Sequence, residues 1–331
     1  MRASNFFKCS LVVWVLGASS AFAQVTGAGS TFVKDLVAAW ATAHGAVVGG
    51  VTYDSVGSGA GVTRAQERSV DFGATDVPLT AAALSQASLR QLPMAASAVA
   101  IIVNLPELDN KPLRLSGNVL GEMYRGIVVK WNDSQIVSLN PGLPLPDRAI
   151  VPVWRTDGSG QAYAVASYMA LFNRNWRRTN TVDARWSAKV GRGVGGNEML
   201  PTVSSTPGAI GFAALGTASG VKNVGIAEMR NIDEGFVAPS TQSISATLAR
   251  ADWNLGEKGN FAADLDTAPG VAAYPITMVT YALLPAIVPA GRRSAAVFLM
   301  QAIDKGDAQV QQSKFVPLPA KIKAVVAAAA R

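Results

Sequence analysis

The chain has 331 residues, of which 49% are hydrophobic, 15% charged and 7% aromatic, so it is not too polar to bury a core. Lys and Arg outnumber Asp and Glu by 29 to 22, a surplus that permits anionic partners and specifies none. A single cysteine, Cys9, and a single histidine, His44, leave no material for a zinc site, a multi-histidine centre or a Cys/His nucleophile pair. Such a length suits one large or two modest domains.

The N-terminus reads as an export signal over residues 1–23. Arg2 and Lys8 give a positive start, Leu11 to Leu16 an apolar centre, and Ala21-Phe22-Ala23 a small-residue cleavage site. The apolar stretch is shorter than the ~20 residues that span a bilayer, so no stable membrane insertion is expected. Cys9 would leave with the signal, and a chain without cysteine suits an oxidising compartment.

After Gly27-Ala28-Gly29-Ser30-Thr31, residues Phe32, Leu36, Val37 and Trp40 recur at helical spacing, predicting a helix that Gly45 stops. Val47 to Ser55 reads as a strand, and Gly57-Ser58-Gly59-Ala60-Gly61 leads into a second helix reaching Arg68. Val70 to Gly73 reads as a short strand before the loop Ala74 to Pro78. Val99 to Asn104, Ile150 to Trp154 and Ile276 to Leu284 are further strands. Asp157-Gly158-Ser159-Gly160 opens a helix through Leu171, and two more helices start near Arg292 and Pro319. Strands alternating with helices predict an α/β fold. Arg174, Arg177 and Arg178 around Trp176 could form a nucleic-acid patch, but cations at a helix end have a simpler reason to be there. No nucleic-acid partner is expected.

Three segments share one design, a Gly/Ser/Thr turn directly before a helix: Gly29-Ser30-Thr31, Gly57-Ser58-Gly59 and Gly158-Ser159-Gly160. Helix N-termini present unpaired N–H groups and partial positive charge, which suits anions. Any one of these turns could be an ordinary cap. Three together, with Arg155 beside the third, point to an oxyanion site. No Gly-Lys-Ser/Thr follows, so none is a P-loop.

Read together, these segments resemble the periplasmic phosphate-binding proteins of bacterial phosphate ABC transporters. The matching stretches are Thr26 to Phe32, Ser55 to Val62, Val70 to Asp76, Arg155 to Gly160, Pro207 to Phe212 and Tyr274 to Thr277, in the family's order. The resemblance implies a two-lobed α/β periplasmic-binding-protein fold of type II, hinged, each lobe a central mixed sheet flanked by helices. Lobe I would be discontinuous, 24–96 and 268–331, and lobe II would be 97–267, with the hinge near Val99 and Ile276. It further implies a monomer that binds inorganic phosphate between the lobes and delivers it to an inner-membrane ABC permease, with no cofactor and no metal. Positions carried over residue by residue are Thr31 (hydroxyl and amide), the Phe32 amide, Ser58, Asp76, Arg155, Ser159, the Gly160 amide and Gln161. Asp157 falls on the acid that braces the arginine. Gln161 stands where the family usually has threonine, which replaces a hydroxyl with a longer amide.

The chemistry of those residues fits independently. A buried anion must have its oxygens satisfied, and neutral donors with one guanidinium can do that. Asp76 then accepts the proton that phosphate still carries near neutral pH, whereas sulfate has none to offer and is repelled. Catalysis is not expected, because a serine nucleophile needs a base and His44 lies at the far end of the first helix. An alternative is an exported paralogue that binds another tetrahedral oxyanion or serves as a secreted interaction protein, with Gln161 its main support.

Overall fold

The computed structural model describes residues 24–109, 111–176, 186, 191–256, 260–287 and 294–329. The export signal, Arg177, Arg178 and the start of the helix near Arg292 lie outside them. Val25–Gly29 (β1) pairs in parallel with both Val51–Ser55 (β2) and Phe72–Thr75 (β3). Leu89–Val103 (β4) is buried along almost its whole length, as a strand covered on both faces must be. Val151–Arg155 (β5), Arg192–Val194 (β6), Ala209–Ala214 (β7) and Thr277–Pro285 (β8) complete the main path, in the order β2-β1-β3-β8-β4-β7-β5-β6.

β4 changes partner along its length. Residues Leu89 to Ala98 pair antiparallel with β8, and Val99 to Val103 pair antiparallel with β7. At the changeover the Val99 N–H donates to Ile276 O at 2.9 Å, and the buried Tyr274 hydroxyl donates to Val99 O at 2.9 Å. A hairpin, Asp252–Gly256 with Asn260–Asp264, reaches the first half of β4 by pairing Asn260 with Gln91.

The helices flank this sheet. Lys34–His44 (α1) buries Leu36, Val37 and Trp40, the stripe that the helical spacing predicts. Ser58–Gln66 (α2) packs on β1 and β3. Gly160–Phe172 (α3) is buried on nearly all sides, with Ala162 and the run Ala164 to Met169 all inside. Ser294–Lys305 (α4) packs against α1. Trp176, at the centre of the arginine cluster, is a core residue. Its indole N–H donates to Gly121 O at 3.0 Å, and its ring meets Trp186 edge-on at 5.6 Å.

Several boundaries shift by one or two residues, α2 for instance ending at Gln66 rather than Arg68, and four differ for a clear local reason. α1 starts at Lys34 rather than Phe32, because the Phe32 N–H is held by Ser30 Oγ at 3.1 Å in a turn. Residues Gly45–Val48 form a 3₁₀ turn instead of starting a strand, and Gly49 with φ 77° reverses the chain before β2. β3 begins at Phe72 because Asp71 is tied to the N–H and hydroxyl of Thr26, at 2.8 and 2.9 Å. β4 begins at Leu89, ten residues early by the sequence reading, and runs through Pro93. That proline argues against a strand, but it sits where the register on β8 slips between Thr280 and Tyr281, at a bulge that tolerates it.

Strand direction positions the site. β1, β2 and β3 are parallel, so their carboxyl ends lie on one edge, and they deliver Ser30-Thr31, Gly57-Ser58 and Asp76 there. β5 ends at Arg155 and leads through Ser159 into α3. Open α/β sheets bind ligands outside the carboxyl ends of their strands.

Candidate functional site

Asp76 follows the last residue of β3 and is buried, with 6% of its surface exposed. Three hydroxyls donate to its carboxylate: Ser30 to Oδ2 at 2.6 Å, Ser58 to Oδ2 at 3.0 Å, and Thr280 to Oδ1 at 2.6 Å. Ser58 Oγ also accepts from the Asp76 N–H at 3.1 Å, so turn and carboxylate lock each other. Burial pushes the Asp76 carboxyl above the usual carboxylate range, against the pull of these hydroxyls and of the Arg155 charge.

The third turn lies directly against this group. A Cβ placed on Gly160 would come 2.5 Å from Asp76 Oδ2, so only glycine lets the first turn of α3 approach the carboxylate this closely. Ser159 is the α3 cap: its Oγ accepts from the Ala162 N–H at 3.3 Å. By contrast α1 and α2 have no side-chain cap, so the backbone donors of their first turns are not taken by a capping side chain.

Arg155 is buried and forms a two-pronged pair with Asp157, Nε to Oδ1 at 2.6 Å and Nη2 to Oδ2 at 2.5 Å. Burial raises the Asp157 carboxyl, but the hydrogen bonds and charge of Arg155 outweigh it and hold the group below its ordinary range. The backbone at Gly196 lies flat against the guanidinium, where a Cβ would come 2.6 Å from Nη2. Arg155 and Asp157 line a cavity of about 450 Å³ together with Thr31, Phe32 and Gln161.

All nine residues singled out from the sequence therefore fall into two adjoining groups. Thr31, Phe32, Arg155, Asp157 and Gln161 share the cavity. Ser58, Asp76, Ser159 and Gly160 form the buried corner beside it. The sequence reading missed Ser30, Thr280 and Gly196. Ser30 lies in the first Gly/Ser/Thr turn, where its neighbour Thr31 carries the resemblance, and Thr280 gives only one weak signal, a hydroxyl inside an apolar strand.

A family model described as a PBP superfamily domain matches residues 16–292. The chain is 33% identical over 328 residues to the phosphate-binding protein PstS of Haemophilus influenzae, covering 96% of each. It is 32% identical over 301 residues to the phosphate-binding protein PstS of Xylella fastidiosa, covering 89% of this chain and 82% of that one. A phosphate-binding protein from Stenotrophomonas maltophilia has the same fold, with a TM-score of 0.72 at 18% identity over 92% of this chain and 93% of that one. The fold is thus the two-lobed α/β fold of periplasmic binding proteins. With a third of its residues shared along nearly its whole length, this chain belongs to the PstS family of phosphate-binding proteins.

Proposed function

We propose that this protein binds one inorganic phosphate between its two lobes and hands it to an inner-membrane ABC permease. The observation that carries this reading is Asp76: a buried acceptor wrapped in hydroxyls, in the angle between three strand ends and the first turn of α3. A carboxylate placed there favours an anion that brings its own proton. Thr31, Ser58 and Asp76 serve from lobe I together with the Phe32 amide, which shares its N–H between Ser30 Oγ and the ligand, and Arg155, Ser159 and the Gly160 amide serve from lobe II. Gln161 reaches the same cavity and takes the place of the missing threonine. Asp157 keeps the guanidinium planar to the ligand rather than touching it.

The lobes are 24–96 with 268–331, and 97–267. The change of partner on β4 between Ala98 and Val99 supports a crossing at that point, and the Asp252–Asp264 hairpin then bridges the two. The protein acts outside the inner membrane as a monomer. Its expected export signal, residues 1–23, lies outside the described residues. Among the described residues no helix is long and apolar enough to cross a membrane.

The protein does not turn its ligand over. Ser58 donates its proton directly to Asp76, Ser159 caps a helix, and His44 is the last residue of α1, so neither serine has an imidazole to activate it. Calorimetry should give a 1:1 phosphate complex, and phosphate esters should survive incubation intact. Release of phosphate from an ester at an enzyme-like rate, or the lack of any phosphate binding, would overturn the proposal.

A further inference from the structure

β8 runs Thr277-Met278-Val279-Thr280-Tyr281-Ala282-Leu283-Leu284-Pro285, and Thr280 is a fully buried hydroxyl in the middle of it. Its aim comes from the backbone. The register on β4 slips between Thr280, opposite Ala95, and Tyr281, opposite Pro93, and such bulges turn side chains from their regular direction. Tyr281 then pairs with Thr75, so the strand bearing Thr280 runs beside the strand that leads into Asp76. The result is the 2.6 Å bond from Thr280 Oγ1 to Asp76 Oδ1.

The two carboxylate oxygens are therefore unequal. An ionised carboxylate has about four acceptor positions. Ser30 and Ser58 occupy Oδ2, and Thr280 occupies one position of Oδ1. What is left is one acceptor direction on Oδ1, with a second opening on Oδ2 when Ser58 turns its hydroxyl to the ligand, and a ligand that uses either must bring a proton. We propose that Thr280 is a specificity-determining residue: its hydroxyl keeps Asp76 an ionised, acceptor-only group and so sets the pH below which fully ionised oxyanions are admitted. This deepens the phosphate reading above and rests on it.

Other groups act on the same carboxyl. Burial raises it, while Ser30, Thr280, Ser58 and the Arg155 charge lower it. Tyr53 donates its hydroxyl to Ser30 O at 2.8 Å and is itself raised by burial and by the Asp76 charge. Asp252, Asp264 and Asp266 line a cavity of about 290 Å³ that Asp76 also reaches. All of these stay in place when the Thr280 hydroxyl alone is removed. Its loss leaves burial less opposed, so Asp76 takes up a proton at higher pH and becomes a donor that sulfate can use.

The test is competition of phosphate against sulfate across the acidic-to-neutral range, for wild type, Thr280→Val and Thr280→Ser. In Thr280→Val the phosphate-to-sulfate ratio should fall about tenfold or more, the worth of one hydrogen bond to a charged group. Sulfate binding should also set in at higher pH than in wild type, and Thr280→Ser should restore the wild-type onset. A purely structural threonine would weaken both anions together and leave the onset where it was, which overturns the role of Thr280. If Thr280→Val does not fold, Thr280→Ala is read in the same way. A wild type that takes up no phosphate would instead sink the phosphate reading itself, and this inference with it.

Discussion

Replacing Asp76 with asparagine should collapse the discrimination between phosphate and sulfate while leaving phosphate binding measurable. The wild-type carboxylate can only accept, so a protonated anion satisfies it and a fully ionised one faces a second negative charge. Sites built around one specific hydrogen bond reject the analogue that lacks it by about 10⁴-fold. Asparagine keeps the shape, removes the charge and adds an N–H that sulfate can use. The three hydroxyls around it can rotate to suit the amide. Stability provides a control. A buried acid whose pKa is raised on folding binds its proton more tightly folded than unfolded, so its contribution falls as pH rises from the unfolded towards the folded value. Removing the charge should therefore leave the neutral-pH melting temperature unchanged or higher. An unaltered phosphate-to-sulfate ratio in Asp76→Asn would take Asp76 out of the selective contact.

Arg155 is expected to carry affinity rather than selectivity. It is the buried cation of the site, and its fork is spent on Asp157 through Nε and one terminal nitrogen. Arg155→Met removes the buried charge from the anion and leaves Asp157, whose side chain is 44% exposed, to water; truncating one partner of a desolvated contact such as guanidinium to anion costs about 2–5 kcal/mol. Phosphate affinity should fall roughly 10²- to 10³-fold. Arg155→Lys should lose most of the same amount, because an ammonium is a point donor and cannot hold the planar pair. Asp157→Asn should be milder, since the guanidinium remains and only its brace weakens. Calorimetric titration of the three variants tests this order. Wild-type affinity in Arg155→Met would show that the guanidinium lies outside the contact.

Much of the candidate site is legible because its residues sit in short, contiguous turns. Gly29-Ser30-Thr31, Gly57-Ser58-Gly59 and Gly158-Ser159-Gly160 each end a strand and start a helix within a few residues. Local sequence therefore marks them without knowledge of the fold. Thr280 was not legible for the opposite reason: it meets Asp76 across 204 positions, through a strand pairing and a bulge. Gly196 is similar, since its need for a bare backbone follows from where Arg155 lies and not from its neighbours. The start of β4 lies ten residues earlier than the sequence suggests, in a stretch whose Pro93 fits a strand only at the bulge beside it. At the Val47-Val48 pair a local rule misleads. Its β-branched residues suggest a strand, but a tight turn at Gly49 shortens the strand to Val51.

The most direct measurement is a crystal structure of the protein grown with phosphate. One phosphate should lie between the lobes, within hydrogen-bond distance of Thr31, Ser58, Arg155 and Ser159, with one of its oxygens in short contact with Asp76 Oδ1. A phosphate bound elsewhere, or one in the cleft with Asp76 turned out of reach, would contradict the claim that this carboxylate reads the proton on the anion.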